Sequence, residues 1–163
     1  MLCSSSISTG IHTFRFKIIS SRGNNCNITI GIIGETPERP FKPEDFGEND
    51  ELGINIPNSF ALANNGTFQY CLSERDGCIK VPHHTKEMGN AVVCMCVDLN
   101  KGDLYFFSQI SIKKYVFKPS ISVKTLFYGR AFSGLKGSYR VAVANVGSNN
   151  KITSFLLNLG SSK

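Results

Sequence analysis

The chain has 163 residues, of which 41% are hydrophobic and 18% charged, and 18 Lys and Arg against 12 Asp and Glu leave a net charge of +6. This length favours a single domain over residues 1–163. The apolar fraction excludes a disordered chain, and no apolar run approaches the roughly 18 residues of a membrane-spanning helix. Strand-forming residues outnumber Ala and Glu, so the composition predicts an all-β domain.

The charge is unevenly distributed. Residues 35–57 contain seven acids and two bases, a net charge of −5, so the rest of the chain is strongly basic. One acidic loop on a basic domain differs from the uniform basic surface of a nucleic-acid binder. We therefore expect neither a nucleic-acid nor a membrane partner, and no cofactor.

The first half of the chain predicts two strands and a long loop. Strict alternation at 13–18 predicts a half-buried strand that buries Phe14, Phe16 and Ile18. A second strand follows at 28–33, where Gly31 and Gly34 permit close packing or a bend. Residues 35–57 carry four prolines and no periodicity. A loop of this length inside a compact domain is usually functional or disordered.

Two hairpins are predicted next. Asn64-Asn65-Gly66 separates strands at 59–63 and 67–72, and the turn at 98–103 separates strands at 91–97 and 104–107. Asn-Gly and Asn-Lys-Gly-Asp sequences supply the residues that tolerate positive φ in such turns. A second long loop is predicted between the hairpins, at 73–89.

The remainder predicts short strand pieces between 110 and 127, a third loop at 129–137, and final strands at 139–143 and 152–157. No helix longer than one or two turns is expected. Strands spaced by about ten residues are typical of a β-sandwich or barrel rather than of βαβ units.

Six cysteines invite a disulfide interpretation, but the N-terminal residues show no secretory signal. We therefore expect reduced thiols and a cytoplasmic location. Cys94 and Cys96 lie two residues apart in an apolar strand, where free cysteines act as small hydrophobic residues.

Catalytic and metal-binding motifs are weak. None of the common nucleophile, nucleotide or metalloprotease motifs occurs. A nucleophile could be composed from Cys71 or Cys78 with His83, but six cysteines and three histidines offer such pairs in any chain. Cys71, Cys78, His83 and His84 could ligate zinc, although the six-residue spacing exceeds that of a zinc knuckle. The sequence therefore predicts a protein without catalytic activity and without a bound metal ion.

Aromatic and arginine side chains in the predicted loops are the best candidates for partner contacts, because such residues bury much area at little entropic cost. The acidic loop contains Arg39, Phe41 and Phe46, and the third loop region contains Tyr128, Arg130 and Phe132. The structural alternative is that Phe127 and Phe132 cover the end of the sandwich core.

Five segments resemble the motifs of SPRY domains, in the order of that family. Phe14 and Phe60 stand where the family usually has Trp, and Arg140-Val141 stands where Pro is common. The matching segments are Gly10 to Ile18, Ile30-Gly31-Ile32, Ser59-Phe60-Ala61-Leu62 with Asn65-Gly66, Gly89 to Asp98 with Gly102 to Phe107, and Tyr139 to Val143.

The resemblance spans residues 7 to about 157 and implies a bent sandwich of two antiparallel sheets, of the concanavalin-like type. It also implies a non-catalytic module that binds a peptide or loop of a partner protein through loops at one end. The best-matched binding region is the loop at 35–58, whose charge would suit a basic peptide. Such domains usually belong to larger adaptor or signalling proteins, so we expect this chain to be either a monomer or part of a larger protein. The alternative is a carbohydrate-binding jelly roll, which would place an aromatic platform beside Asp and Asn ligands.

Overall fold

The computed structural model describes residues 2–17, 27–36, 40, 42, 46–47, 50–63, 66–73, 78–81, 92–116, 118–146 and 157–162. Within these residues the chain forms β-strands and no helix, which confirms the all-β prediction. The strands are β1 (Leu2–Ile7), β2 (Ile11–Lys17), β3 (Asn27–Glu35), β4 (Ser59–Ala63), β5 (Phe68–Cys71), β6 (Cys78–Val81), β7 (Val92–Asp98), β8 (Asp103–Val116), β9 (Lys118–Ser133), β10 (Ser138–Val146) and β11 (Leu157–Ser162).

The strands form two antiparallel sheets. A six-stranded sheet has the order β1-β10-β3-β4-β5-β6, and a five-stranded sheet has the order β11-β2-β7-β8-β9. Both predicted hairpins are confirmed, because β4 pairs with β5 and β7 pairs with β8. Their turns contain Gly66 at φ 81° and Gly102 at φ 75°, conformations that favour glycine.

The core lies between the two sheets. The five-stranded sheet contributes Phe14 and Phe16 from β2, as the alternation predicts, and Val93, Met95 and Val97 from β7. Aliphatic and aromatic residues of β3, β4 and β5 face them from the six-stranded sheet, including Ile30, Ile32, Phe60, Leu62 and Phe68. The two faces interdigitate in one apolar cluster, which is the packing of a sandwich.

Gly31 allows β3 and β4 to approach closely. A Cβ atom at this position would lie 2.0 Å from the carbonyl oxygen of Phe60 and 2.8 Å from the Cα of Ala61. No side chain fits there without moving backbone. Of the two expectations for Gly31, close packing or a bend, the structure shows close packing.

Several predicted element boundaries are wrong. The segment expected as a loop at 129–137 is strand β9 up to Ser133, and the loop expected at 73–89 contains β6. The short pieces expected between 110 and 127 form one long β8–β9 hairpin. The strand β1 was not predicted, because its serine-rich sequence lacks alternation and its register comes from pairing with β10.

At the C-terminal end, residues 152–156 of the last predicted strand lie outside the described residues, and β11 begins at Leu157. Ile18 also lies outside them. Among the described residues, no helix is long and apolar enough to span a membrane.

Candidate functional site

The structure brings three of the six candidate contact residues together. Tyr128, Arg130 and Phe132 all lie on β9 and line one cavity of about 470 Å³. Phe46 lies elsewhere, and Arg39 and Phe41 are outside the described residues. We call the cavity the flank groove, since it lies between β5 of one sheet and β9 of the other. Its lining residues are Phe68, Tyr70, Tyr128, Arg130, Ala131, Phe132 and Ser133.

Two β-bulges in β9 shape this groove. Leu104 pairs with Phe132 and Tyr105 with Arg130, so Ala131 is an extra residue, and a second shift makes Tyr128 an extra residue. Strict alternation would place Tyr128, Arg130 and Phe132 on one face of the strand. The bulges instead turn Arg130 outward while the two aromatic rings stay directed at the core.

Aromatic rings form the floor of the groove. The Phe132 ring lies 4.3 Å from the Phe60 ring and 5.3 Å from the Tyr70 ring, measured between centroids. Edge-on and tilted pairs at these distances are favourable beyond the area that they bury. Phe132 therefore does cover the core, as the structural alternative proposed, and the same ring forms part of the groove surface. The alternative is wrong for Phe127, which is 66% exposed.

A buried hydroxyl pair fixes Tyr128. Its ring is in the core cluster, and its hydroxyl donates to the Ser108 hydroxyl at 2.8 Å. Ser108 is fully buried. Because a buried hydroxyl without a partner is costly, this bond holds the Tyr128 ring in one position at the base of the groove.

The polar rim of the groove consists of Arg130 and its neighbours. The Tyr105 hydroxyl donates to Asp103 Oδ2 at 2.7 Å, and Arg130 Nη1 lies 3.7 Å from Asp103 Oδ1. Hydrogen bonds from Tyr105 and Ser133, with a smaller contribution from Arg130, hold the pKa of Asp103 below its ordinary value. The Arg130 side chain is 57% exposed, so its guanidinium keeps donors available to a partner.

Sequence reasoning missed Tyr70 and Phe68. They occupy the predicted strand at 67–72, but nothing in the sequence indicates that β5 faces β9 across the gap between the sheets. Their aromatic type was the available signal, and only the tertiary packing joins them to Phe132.

Part of the acidic loop covers the outer face of the six-stranded sheet. Leu52 and Ile56 are buried against Ile33, Ala61 and other small residues of that face, and Phe46 packs on the same cluster. We call this the covered face. Phe46 is thus half-buried, and its ring covers strand residues of the sheet.

Hydrogen bonds attach this segment to the sheet. The Gly53 amide donates to Ser59 Oγ at 2.6 Å, and Gln69 Nε2 donates to the Leu52 carbonyl at 2.6 Å. Gln69 also reaches Glu51 Oε1 at 3.1 Å. Polar side chains from β4 and β5 therefore supply hydrogen-bond partners for backbone groups of this turn, which would otherwise be buried without partners.

The start of the acidic segment and the end of β9 lie at the same end of the sandwich. Glu35, where β3 ends, pairs with Ser138, where β10 begins, and four residues separate Ser138 from Ser133 of the flank groove. Arg140 donates to Glu35 at this end. Glu35 and the flank groove therefore lie at the same end of the sandwich.

The described residues contain no cluster of three or more His, Cys, Asp or Glu suited to a metal. Of the four potential zinc ligands, Cys71 is opposite Cys78 across the β5–β6 pair, and His83 and His84 lie outside the described residues. The buried Cys71 thiol donates to the Ser73 carbonyl. Burial raises the pKa of both Cys94 and Cys96, which keeps these thiols protonated and unreactive at neutral pH.

Comparison with known proteins finds no matching family model and no matching curated protein. Among solved structures, the chain is similar to the SPRY domain of human HERC1, with a TM-score of 0.53 and 10% sequence identity. The match covers 98% of this chain and 81% of that chain. The fold is SPRY-like. The order of motifs seen in the sequence thus corresponds to a real structural similarity, at an identity that defines the fold alone.

Proposed function

We propose that this SPRY-like chain is a non-catalytic protein-interaction module that binds a peptide or loop of a partner at the end of the sandwich where the flank groove opens. The observation that carries the proposal is the groove itself, which combines an aromatic floor with an exposed arginine. Buried aromatic and arginine anchors supply most of the energy at protein interfaces. In this proposal, Tyr70, Phe132 and Arg130 receive one or two side chains of the partner.

The acidic loop is the second part of the proposed surface. Arg39, Phe41 and Phe46 are its candidate contacts, and its start is adjacent to the groove through the pairing of Glu35 with Ser138. Its net charge of −5 suits a basic partner segment at this position. We propose that this partner reaches from the groove onto the loop. We also propose that the chain works in a cytoplasmic setting, as a monomer or as part of a larger protein.

The test compares proteins captured from a cell extract by the wild-type chain and by two groove variants. Ala131→Phe fills the groove, and Arg130→Glu reverses the charge at its rim. Lys17→Glu is the matched charge control, since Lys17 is exposed on β2 and does not line the groove. A specific partner should be lost with both groove variants and retained with the control.

The loop is tested separately with the double variant Arg39→Ala/Phe41→Ala. If these residues anchor the partner, binding of the captured protein should weaken by about 2 kcal/mol or more, while the melting temperature stays unchanged. Equal capture by the wild type and all variants would contradict the proposed site. Binding to a glycan array that disappears with Ala131→Phe would instead favour the carbohydrate-binding alternative.

A further inference from the structure

The β8–β9 hairpin extends beyond the body of the five-stranded sheet. Pairing between β7 and β8 ends at Val92 with Gln109, whereas pairing between β8 and β9 continues to Val116 with Lys118. Residues 110–116 and 118–124 therefore form a two-stranded ribbon that is not paired with β7. The two bulges of β9 lie at its other end, so the register between 118 and 127 is regular.

The outer edge of β9 is open in the part of the chain that the structure describes. β9 is the last strand of its sheet, and no described strand pairs with its second edge. Residues 120–126 read Ser-Ile-Ser-Val-Lys-Thr-Leu, a β-prone sequence with no glycine or proline. A regular, open edge of this kind presents alternate N–H and C=O groups that can pair with another extended chain.

Apart from Asp103 at the start of β8, the charged residues of the hairpin are all basic. Between 104 and 133 the sequence contains Lys113, Lys114, Lys118, Lys124 and Arg130 and no acidic residue. A second copy of β9 pairing edge to edge would bring together two strands whose charged residues, Lys118, Lys124 and Arg130, are all basic, which opposes self-association. An acidic strand would instead gain attraction along the same edge. The bases are mainly lysines, which lack the planar fork that arginine uses to bind phosphate groups.

We propose that the free edge of β9, over residues 120–126, accepts an acidic, extended segment of a partner protein as an additional strand. The inference rests on the proposed function as an interaction module but uses a surface separate from the flank groove. Main-chain hydrogen bonds fix the direction and register of the added segment, and the lysines of the hairpin select its charge.

The probes are three synthetic peptides and one oligonucleotide. The first peptide alternates Glu with Val and Ile over seven residues. The second has the same charge but Pro in place of Val and Ile, so it cannot pair as a strand. The third has Lys in place of Glu. A 20-nucleotide strand of thymidines tests whether any polyanion suffices. Binding is measured by fluorescence anisotropy, and amide hydrogen exchange of 118–127 is measured with and without each probe.

We expect the Glu–Val/Ile peptide alone to bind, and to slow the exchange of alternate amides between 120 and 126. The variant Lys118→Glu/Lys124→Glu should weaken this peptide at least about tenfold, because two attractions become two repulsions. The charge-matched control is Lys17→Glu/Lys101→Glu, since both of these lysines are exposed and lie outside the hairpin. This control should bind the peptide as the wild type does.

Three results would overturn the proposal. They are equal binding of the Pro peptide or the oligonucleotide without amide protection, absence of binding by the acidic peptide, and dimerisation of the chain alone through β9. The groove variant Ala131→Phe should leave peptide binding at β9 unchanged. If the acidic peptide does not bind at β9 but the groove variants lose a captured partner, this inference is rejected and the proposed function still holds.

Discussion

The covered face and the flank groove are both apolar surfaces on the outside of the sandwich core, but the chain treats them differently. At the covered face, Leu52 and Ile56 from the acidic segment bury small residues of the six-stranded sheet. At the groove, Phe132 and Tyr70 remain half-buried beside an exposed arginine. The first surface is closed by the chain's own residues and supports the fold, whereas the second leaves apolar area partly exposed and receives the partner in the proposed function.

This comparison also separates two roles within the acidic segment. Its C-terminal part is attached to the sheet through Ser59 and Gln69, so the backbone there has fixed partners. In the proposed function, recognition by this segment is assigned to its other candidate contacts, Arg39 and Phe41. Substitutions at the covered face should consequently lower mainly the stability of the fold, and substitutions at the groove should weaken mainly the binding of a partner.

The largest expected effect is at the covered face. Leu52→Ala removes a side chain that is 0% exposed, and we expect the free energy of unfolding to fall by about 3 kcal/mol. Chemical denaturation measures this loss. Leu72→Ala is the matched control, since Leu72 is 45% exposed and should change stability by less than about 0.5 kcal/mol. Similar values for the two variants would show that residues 52–56 do not cover the sheet.

A smaller effect is expected beneath the groove. Tyr128→Phe keeps the ring but removes the hydroxyl that donates to the buried Ser108, and should cost about 1–2 kcal/mol. The double variant Tyr128→Phe/Ser108→Ala should recover part of this loss, because neither group is then left without its partner. A thermodynamic cycle over the four proteins measures the coupling, and additive losses would argue against the bond.

At the rim of the groove, the effect should depend on pH. The folded-state pKa of Asp103 lies below its unfolded value of about 3.8, so its contribution to stability is present above that value and is lost as the pH falls through the folded pKa. Asp103→Asn should therefore lower the melting temperature near pH 7, and this difference should shrink as the pH falls below about 3.8. A difference between the two proteins that does not change with pH would contradict this assignment.

The smallest effect on stability is expected at Phe127, which is 66% exposed on the outer face of the five-stranded sheet and lies 6.3 Å from the Tyr105 ring. Phe127→Ala should change the free energy of unfolding by no more than about 0.5 kcal/mol. Phe132→Ala, which removes a ring packed on the core, should cost several times as much. If the two variants lose the same free energy of unfolding, measured by thermal or chemical denaturation, Phe132 in the groove is packed no more tightly than Phe127 on the outer face.

Much of the fold could be predicted because local patterns and tertiary packing agree. The alternation around Phe14 and Phe16, the apolar strand from Val93 to Val97, and the two glycine turns each specify one structure locally. Where local patterns are weak, prediction failed. The serine-rich β1 depends on its partner β10, and β6 lies in a polar segment whose pairing with β5 is not visible in the sequence.

The candidate site was only partly predictable, for a related reason. Residue type identified Tyr128, Arg130 and Phe132, and their spacing of two would place them on one face of a regular strand. The bulges at Tyr128 and Ala131 change that alternation, and a bulge arises from the register with β8 rather than from the bulged residues alone. Residue type also could not distinguish Phe46, which packs on the covered face, from an exposed aromatic residue.

The sequence by itself determined the all-β class, the two hairpins, and the division of charge between an acidic segment and a basic remainder. These properties depend on composition, on a period of two, and on backbone conformations that glycine alone adopts easily. Tertiary structure decided which apolar surfaces are covered and which stay open. Contacts such as Leu52 on Ala61 and Tyr70 on Phe132 join residues from separate strands and loops, and their geometry exists only after both sheets have formed.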